Sequence, residues 1–242
     1  MKIALAQIQS YKGDIPANLT AHNHFLDMAS THGVEVIVFP ELSITGYEPE
    51  LANELATTQE DSRFNVFQDF SNVSQVTIGA GMPIETAKGI QIGMILFQPH
   101  QPRQTYAKQY LHADELPYFI PGDQQLYLTA GDTKMGLAIC YELSVPHHAE
   151  NVHNNGANIY LASVAKTIPG VEKAIATMAQ TAAKYAMPAL MVNCVGSCEG
   201  LTAGGRSSVW NDQGQLIGQL DAKREGLLIF DTLTQEVLTV YK

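Results

Sequence analysis

Lys134-Met135-Gly136-Leu137-Ala138-Ile139-Cys140-Tyr141-Glu142-Leu143-Ser144-Val145-Pro146 is a short apolar run that carries a cysteine to its carboxyl end and then breaks. Turn signals bound it, Gly131-Asp132 before and Pro146 after, so it reads as a buried strand running into a helix. Cys140 then stands where the strand stops. In open α/β sheets ligands bind outside the carboxyl ends of the strands, so a thiol there can meet a substrate. Taken alone, a cysteine ending an apolar run is more often one more small hydrophobe. The rest of the chain has to decide between the two.

Working outward, the neighbouring segments alternate between strand and helix patterns. Met1 to Ser10 reads as a first strand, too short in its apolar part for a leader and without a small-residue cleavage pattern. Asp14 and Pro16 open a helix whose inner face is Leu19, Phe25, Leu26 and Ala29, with Gly33 closing it. Val34 to Phe39 is β-branched and almost wholly apolar, the pattern of a strand covered on both faces, and Pro40 stops it just before Glu41. A helix through 60–72 presents Phe64, Phe67 and Phe70. Strands over 76–82 and 90–97 form a hairpin closed by the loop Ile84 to Gly89. A short strand ends near Ala107, and a loop runs from Lys108 to Asp123. Beyond the cysteine strand come a helix from Pro146 to Asn155 that carries His147 and His148 on its surface, a strand over 157–162, and a helix from Glu172 to Ala186. Strands near 189–194, 206–210 and 226–230 complete a mixed sheet system with helices outside.

Composition narrows the function. The 242 residues carry no linker or composition shift, which implies one domain over 1–242 with a large core. A hydrophobic share of 45% with 16% charged residues excludes a disordered chain. A formal charge of −10, with no lysine/arginine cluster, argues against nucleic acid or an anionic membrane as partner. No apolar run approaches spanning length. Three cysteines make no disulfide framework and point to a reducing cytoplasm. Cys194 and Cys198 lie four apart without a second pair or a nearby histidine, so no metal site is expected there. His22 and His24, two apart on a helix, point to different sides and make a poor metal pair.

Three reactive groups therefore stand at the ends of separate strands: Glu41, Lys108 and Cys140. Each alone reads as a surface residue or packed thiol, but together they make a reagent set. A thiol is weakly nucleophilic until a base takes its proton or a cation lowers its pKa. Glu41 suits the base. Lys108 suits the oxyanion that forms when the thiolate attacks a carbonyl or nitrile carbon, with the backbone amide after Cys140 as second donor. The chemistry would be acyl transfer with no metal and no cofactor.

These residues carry a resemblance to the nitrilase, or carbon-nitrogen hydrolase, superfamily. Phe39-Pro40-Glu41-Leu42-Ser43-Ile44-Thr45-Gly46-Tyr47 is similar to its glutamate motif, Tyr106-Ala107-Lys108-Gln109-Tyr110-Leu111 with Pro121-Gly122-Asp123 to its lysine motif, and Ile139-Cys140-Tyr141-Glu142-Leu143 to its cysteine motif. The likeness runs from Ala4-Leu5-Ala6-Gln7 to Ser208-Val209-Trp210 and the Gly214 turn. It implies a four-layer αββα sandwich, a homodimer or higher homo-oligomer, and hydrolysis of small-molecule amides, carbamoyl groups or nitriles through a cysteine acyl-enzyme. By the same resemblance Glu41 is the general base, Lys108 the oxyanion-stabilising lysine, Cys140 the nucleophile and Tyr141 the oxyanion-hole amide. Glu115 is the best-positioned match to a second glutamate. With no synthetase domain and no membrane segments in the sequence, a stand-alone amide hydrolase is expected.

Two departures bear on substrate. Tyr110 stands where the family often has histidine, and Ser144-Val145-Pro146 where it often has Arg-Phe-Pro, and both positions are expected to help shape the site. Two rival readings remain: a Cys/His hydrolase in which His147 or His148 activates Cys140, and a binding protein on the same fold in which Cys140 is only packed.

Overall fold

In the computed structural model, which describes residues 1–242, the chain forms fifteen strands and five α-helices. In chain order they are β1 (Lys2–Gln7), α1 (Ile15–Ser30), β2 (Val36–Val38), α2 (Ala52–Leu55), α3 (Asn65–Ser74), β3 (Thr77–Thr86), β4 (Gly89–Phe97), β5 (Gln104–Ala107), β6 (Tyr127–Ala130), β7 (Thr133–Ile139), α4 (Pro146–Asn154), β8 (Ile159–Ser163), α5 (Ile168–Tyr185), β9 (Ala189–Val192), β10 (Ser197–Cys198), β11 (Leu201–Thr202), β12 (Ser208–Trp210), β13 (Leu216–Gln219), β14 (Gly226–Asp231) and β15 (Val237–Tyr241). One sheet has the order β15-β14-β1-β2-β3-β4-β5, the other β13-β12-β9-β8-β7-β6, and β10 pairs with β11 alone.

Each large sheet has three parallel strands at its centre, β1-β2-β3 and β7-β8-β9, flanked by antiparallel neighbours. The parallel links need crossovers, and α1 and α3 supply them in the first sheet, α4 and α5 in the second.

Strand periodicity sets the layering. On β1, Ile3 and Leu5 point into a core shared with Leu137 and Ile139 of β7 and Leu161 of β8, while Ala4 and Ala6 face Phe25 and Leu26 of α1. On the far side, Ala138, Tyr160 and Ala162 pack against Val152 of α4 and Met178 of α5. Three cores separate four layers, helix-sheet-sheet-helix, as the resemblance implied.

Local signals held at most element boundaries. The Asp14 side chain accepts from the Ala17 amide at 3.0 Å and caps α1. The hairpin is tighter than its expected loop, since Thr86 pairs with Gly89 and only Ala87-Lys88 turn the chain. Helix α5 begins four residues earlier than Glu172, because Pro169 fits its first turn and adds helix rather than ending it. Besides the two-residue pair β10 and β11, strands β6, β13 and β15 went unpredicted. All three are outer strands with exposed positions, so they lack the apolar run that betrays a central strand.

Candidate active site

Cys140 follows β7 directly, with φ at +45°, and a 3₁₀ turn over Cys140–Ser144 leads to Pro146 and α4. A left-handed backbone at a side-chain-bearing residue costs about 1–3 kcal/mol unless its surroundings hold it. Glu142 does the holding. Its Oε2 accepts from the Ile139 amide at 2.6 Å and from the Tyr106 hydroxyl at 2.8 Å, and its Oε1 accepts from the Gln109 amide at 2.6 Å. One buried carboxylate thus ties the cysteine turn to the residue after Lys108. Burial pushes this carboxyl up to about 7 despite those donors.

Glu41 sits in the turn after β2. Ser163 at the end of β8 donates its hydroxyl to the Phe39 carbonyl at 2.8 Å, binding the first sheet to the second beside the site. Beneath the turn, the Ile44 amide donates to the Gly81 carbonyl at 3.0 Å. A Cβ on Gly81 would collide with the Leu42 amide nitrogen and the Pro40 carbonyl, so only glycine lets β3 run this close. Ser43 contacts Nε2 of the fully buried His22 at 3.0 Å, whose Nδ1 meets the Asn18 carbonyl at 2.6 Å.

Lys108 directly follows β5 and its loop closes on itself, with the Gly122 amide donating to the Lys108 carbonyl at 2.8 Å. A Cβ at Gly122 would strike the Ala107 carbonyl. The ammonium is completely buried and donates to Glu41 Oε1 at 2.8 Å and to Glu115 Oε1 at 2.6 Å. Glu115 is fixed further by the Tyr47 hydroxyl at 2.8 Å and the His112 amide at 2.8 Å. Glu41 Oε2 is buried and has no hydrogen-bond partner.

The electrostatics follow from this crowding. Burial raises Glu41, opposed by the Lys108 charge and reinforced by Glu115, and the nearby Cys140 thiol also acts on it. Burial works to lower Lys108, but the charges of Glu41, Cys140 and Glu115 outweigh it and keep the ammonium protonated. The Cys140 thiol is pushed up to about 12, by burial first and by Glu41 second, with Lys166 and Lys108 pulling the other way. A thiol of that kind is protonated at rest and needs a base at the moment of attack.

A cavity of about 260 Å³ opens above Cys140, lined among others by Tyr47, Glu115, Tyr141, Lys166, Cys198 and Glu199. Glu41, Lys108, Glu115 and Cys140, drawn from three loops and both sheets, thus meet at one place. The histidines read differently from expectation. His147 is exposed, but His148 is buried, its ring between the hydroxyls of Tyr160 (2.9 Å) and Tyr106 (3.0 Å), so it is not the surface residue expected. Neither histidine lines the cavity. Tyr110, Ser144 and Val145 do not line it either, and Tyr110 packs edge-on to His148 instead. His22 is buried and His24 exposed, which separates that pair as their helical spacing required. Cys194 and Cys198 are free buried thiols packed with Ala203. Sequence reasoning passed over Glu142, Lys166 and Tyr47. The first follows Cys140 by two residues and Tyr47 closes the glutamate motif, so proximity was the available signal. Lys166 had none beyond lying past a strand end.

The carbon-nitrogen hydrolase family model matches residues 2–240. The chain belongs to the carbon-nitrogen hydrolase family. Its fold matches the solved NitN amidase of Nesterenkonia sp. AN1 with a TM-score of 0.84 at 25% identity, covering 96% of this chain and 92% of that one. Among curated relatives of this hydrolase, the glutamine-dependent NAD(+) synthetase of Thermotoga maritima is 26% identical over 99% of the chain, which spans only 43% of that protein. The 2-oxoglutaramate amidase of Bacillus subtilis is 23% identical over 97% of this chain and 91% of its own. The chain therefore spans less than half the length of the synthetases it matches.

Proposed function

We propose that this carbon-nitrogen hydrolase cleaves the amide bond of a small molecule, releasing ammonia and a carboxylate through an acyl-enzyme on Cys140. The observation that carries the reading is the buried, unpartnered Oε2 of Glu41 beside a protonated thiol. Glu41 takes the thiol proton as sulfur attacks the carbonyl carbon, and the carbonyl π pair moves onto oxygen. The Lys108 ammonium and the Tyr141 amide face that oxyanion. Collapse breaks the carbon-nitrogen bond, Glu41 hands its proton to the leaving nitrogen, and ammonia departs from a thioester. Water then gives its proton to Glu41 as hydroxide attacks the thioester; the acid leaves and the proton returns to sulfur. Glu115 holds Lys108 and orients the substrate.

The histidine-based rival has little support, because His148 is committed to two tyrosines away from the cavity and His147 points to solvent. The same reading includes a single domain over residues 1–242, a cytoplasmic location that keeps the three thiols reduced, and a homodimer or larger homo-oligomer, which sedimentation in dilute buffer tests. No helix is long and apolar enough to cross a membrane.

Incubation with short aliphatic amides, ω-amides, carbamoyl amines and nitriles, followed by ammonia and product detection, tests the reaction. Turnover of amides with a transient mass increase on Cys140 is expected. Glu41→Gln should lower it by at least about a hundredfold, whereas His147→Ala and His148→Ala should do much less. Turnover crippled by a histidine change and spared by Glu41→Gln would overturn the mechanism.

A further inference from the structure

Two lysines bear on Cys140, and they are not equivalent. Lys108 has its charge answered twice, by Glu41 and Glu115. Lys166 lies past the end of β8 and lines the cavity with Cys140, yet its ammonium makes no ion pair and no hydrogen bond in the molecule, although the residue is half-buried. Exposed Lys12, by contrast, has an ion-pair partner, Glu48. An unanswered ammonium held partly out of water gains by meeting an anion from outside.

The mounting of Lys166 is built. Its amide donates to Asn193 Oδ1 at 2.8 Å, and its carbonyl accepts from Asn193 Nδ2 at 3.1 Å and from the Gly204 amide at 2.7 Å. Asn193, fully buried at the end of β9, also donates to the Gly205 carbonyl at 2.9 Å. The backbone at Lys166 is thereby clamped from both sides, and the side chain hangs from a fixed point over the cavity.

We propose that Lys166 is a carboxylate-recognising residue, so that the preferred substrate is a short amide with a carboxylate at its other end. This rests on the hydrolase reading above and extends it to the substrate class. With Lys108 buried and neutralised by Glu41 and Glu115, Lys166 is the unpaired ammonium of the cavity lining that a bound molecule meets while its amide carbon lies at Cys140. The lining also carries Glu199 and Asp114. Glu199 is raised by burial and by the charges of Asp114, Glu48, Glu50 and Glu115. A carboxylate entering this cavity is therefore attracted at Lys166 and repelled at Glu199 and Asp114.

The test compares the monoamides of succinic and glutaric acid with butyramide and valeramide, on wild type and Lys166→Met. A charge-assisted contact is worth about 1.5–3 kcal/mol, roughly tenfold to hundredfold. The preference in kcat/KM for carboxylate-bearing over neutral amides should collapse by that factor in Lys166→Met, mainly through KM. An equal loss on both substrate kinds would overturn the proposal and make Lys166 a modulator of the thiol. Calorimetric binding of glutaric acid monoamide to Cys140→Ala, with and without Lys166→Met, separates the two layers. Tighter binding with Lys166 present supports the subsite even where no turnover is found. Equal binding refutes it whatever the catalysis.

Discussion

Lys108 is a buried cation between two buried carboxylates, and this makes its removal costly in two separate ways. Lys108→Met keeps the length and removes the charge. By analogy with deletion of an oxyanion donor, turnover should fall by about 3–4 kcal/mol in activation free energy. Stability should also fall, by about 3–5 kcal/mol, because Glu41 and Glu115 are left in one dry pocket without their counter-ion. Urea unfolding beside steady-state kinetics separates the losses; a variant of wild-type stability would mean that water reaches the pocket. Glu115 and Asp114 offer a sharper contrast. They are adjacent in sequence, but Glu115 is 1% exposed and holds Lys108, whereas the Asp114 side chain is 62% exposed and pairs with His112. Glu115→Gln should fold and turn over poorly, since small misplacements at a reacting centre cost orders of magnitude. Asp114→Asn should retain most of its turnover on neutral amides. A defect confined to Asp114→Asn would show that the wrong acid was assigned.

The elements matter through their ends. β2 and β5 in one sheet and β7 in the other stop where Glu41, Lys108 and Cys140 begin, and the segments between are joined by single polar contacts. Glu142 is the most consequential, bridging the cysteine turn and the lysine loop. Glu142→Gln must turn an amide group toward backbone donors, so one of the bonds to Ile139 or Gln109 is lost. The expected outcome is a drop in kcat of about tenfold or more with KM little changed, partly rescued in Glu142→Asp. A rise in KM alone would argue against a positioning role. Much of this was legible in the sequence, for Glu41, Lys108 and Cys140 are announced by the proline or strand end beside each. His148 and the edge strands were not. A histidine at a helix start looks the same whether solvent or two tyrosines surround it, and β15, with its residues half-buried or exposed, gives no periodic signal. Burial of that kind is decided by which layers stack, a tertiary fact that local pattern does not encode.

For the molecule as a whole, buried titrating groups link stability to pH. Burial pushes His22 down to about 4, outweighing the Asn18 carbonyl, so the folded state keeps the ring neutral. The unfolded chain takes up a proton near the ordinary value of 6.5, and between 6.5 and about 4 it binds more protons than the folded one. This contribution is fully present above the unfolded value and is lost as pH falls through the window, by about 3 kcal/mol in all. His22→Gln, which keeps a group able to reach Ser43, removes the linkage. The stability gap between wild type and variant should therefore narrow by about that amount from neutral pH to about pH 4, measured by urea unfolding. A gap that does not change with pH would show that the ring titrates alike in the folded and unfolded states.

The seam where Ser163 of one sheet grips the Phe39 carbonyl of the other has a consequence in time. The base and the thiol arrive on different sheets, so a chain with either sheet formed alone holds a protonated, unassisted cysteine and no working reagent. Acyl transfer switches on only when the layers dock. During synthesis and refolding, the nascent protein thereby carries no assembled acyl-transfer site until it also has the walls that decide what may reach it.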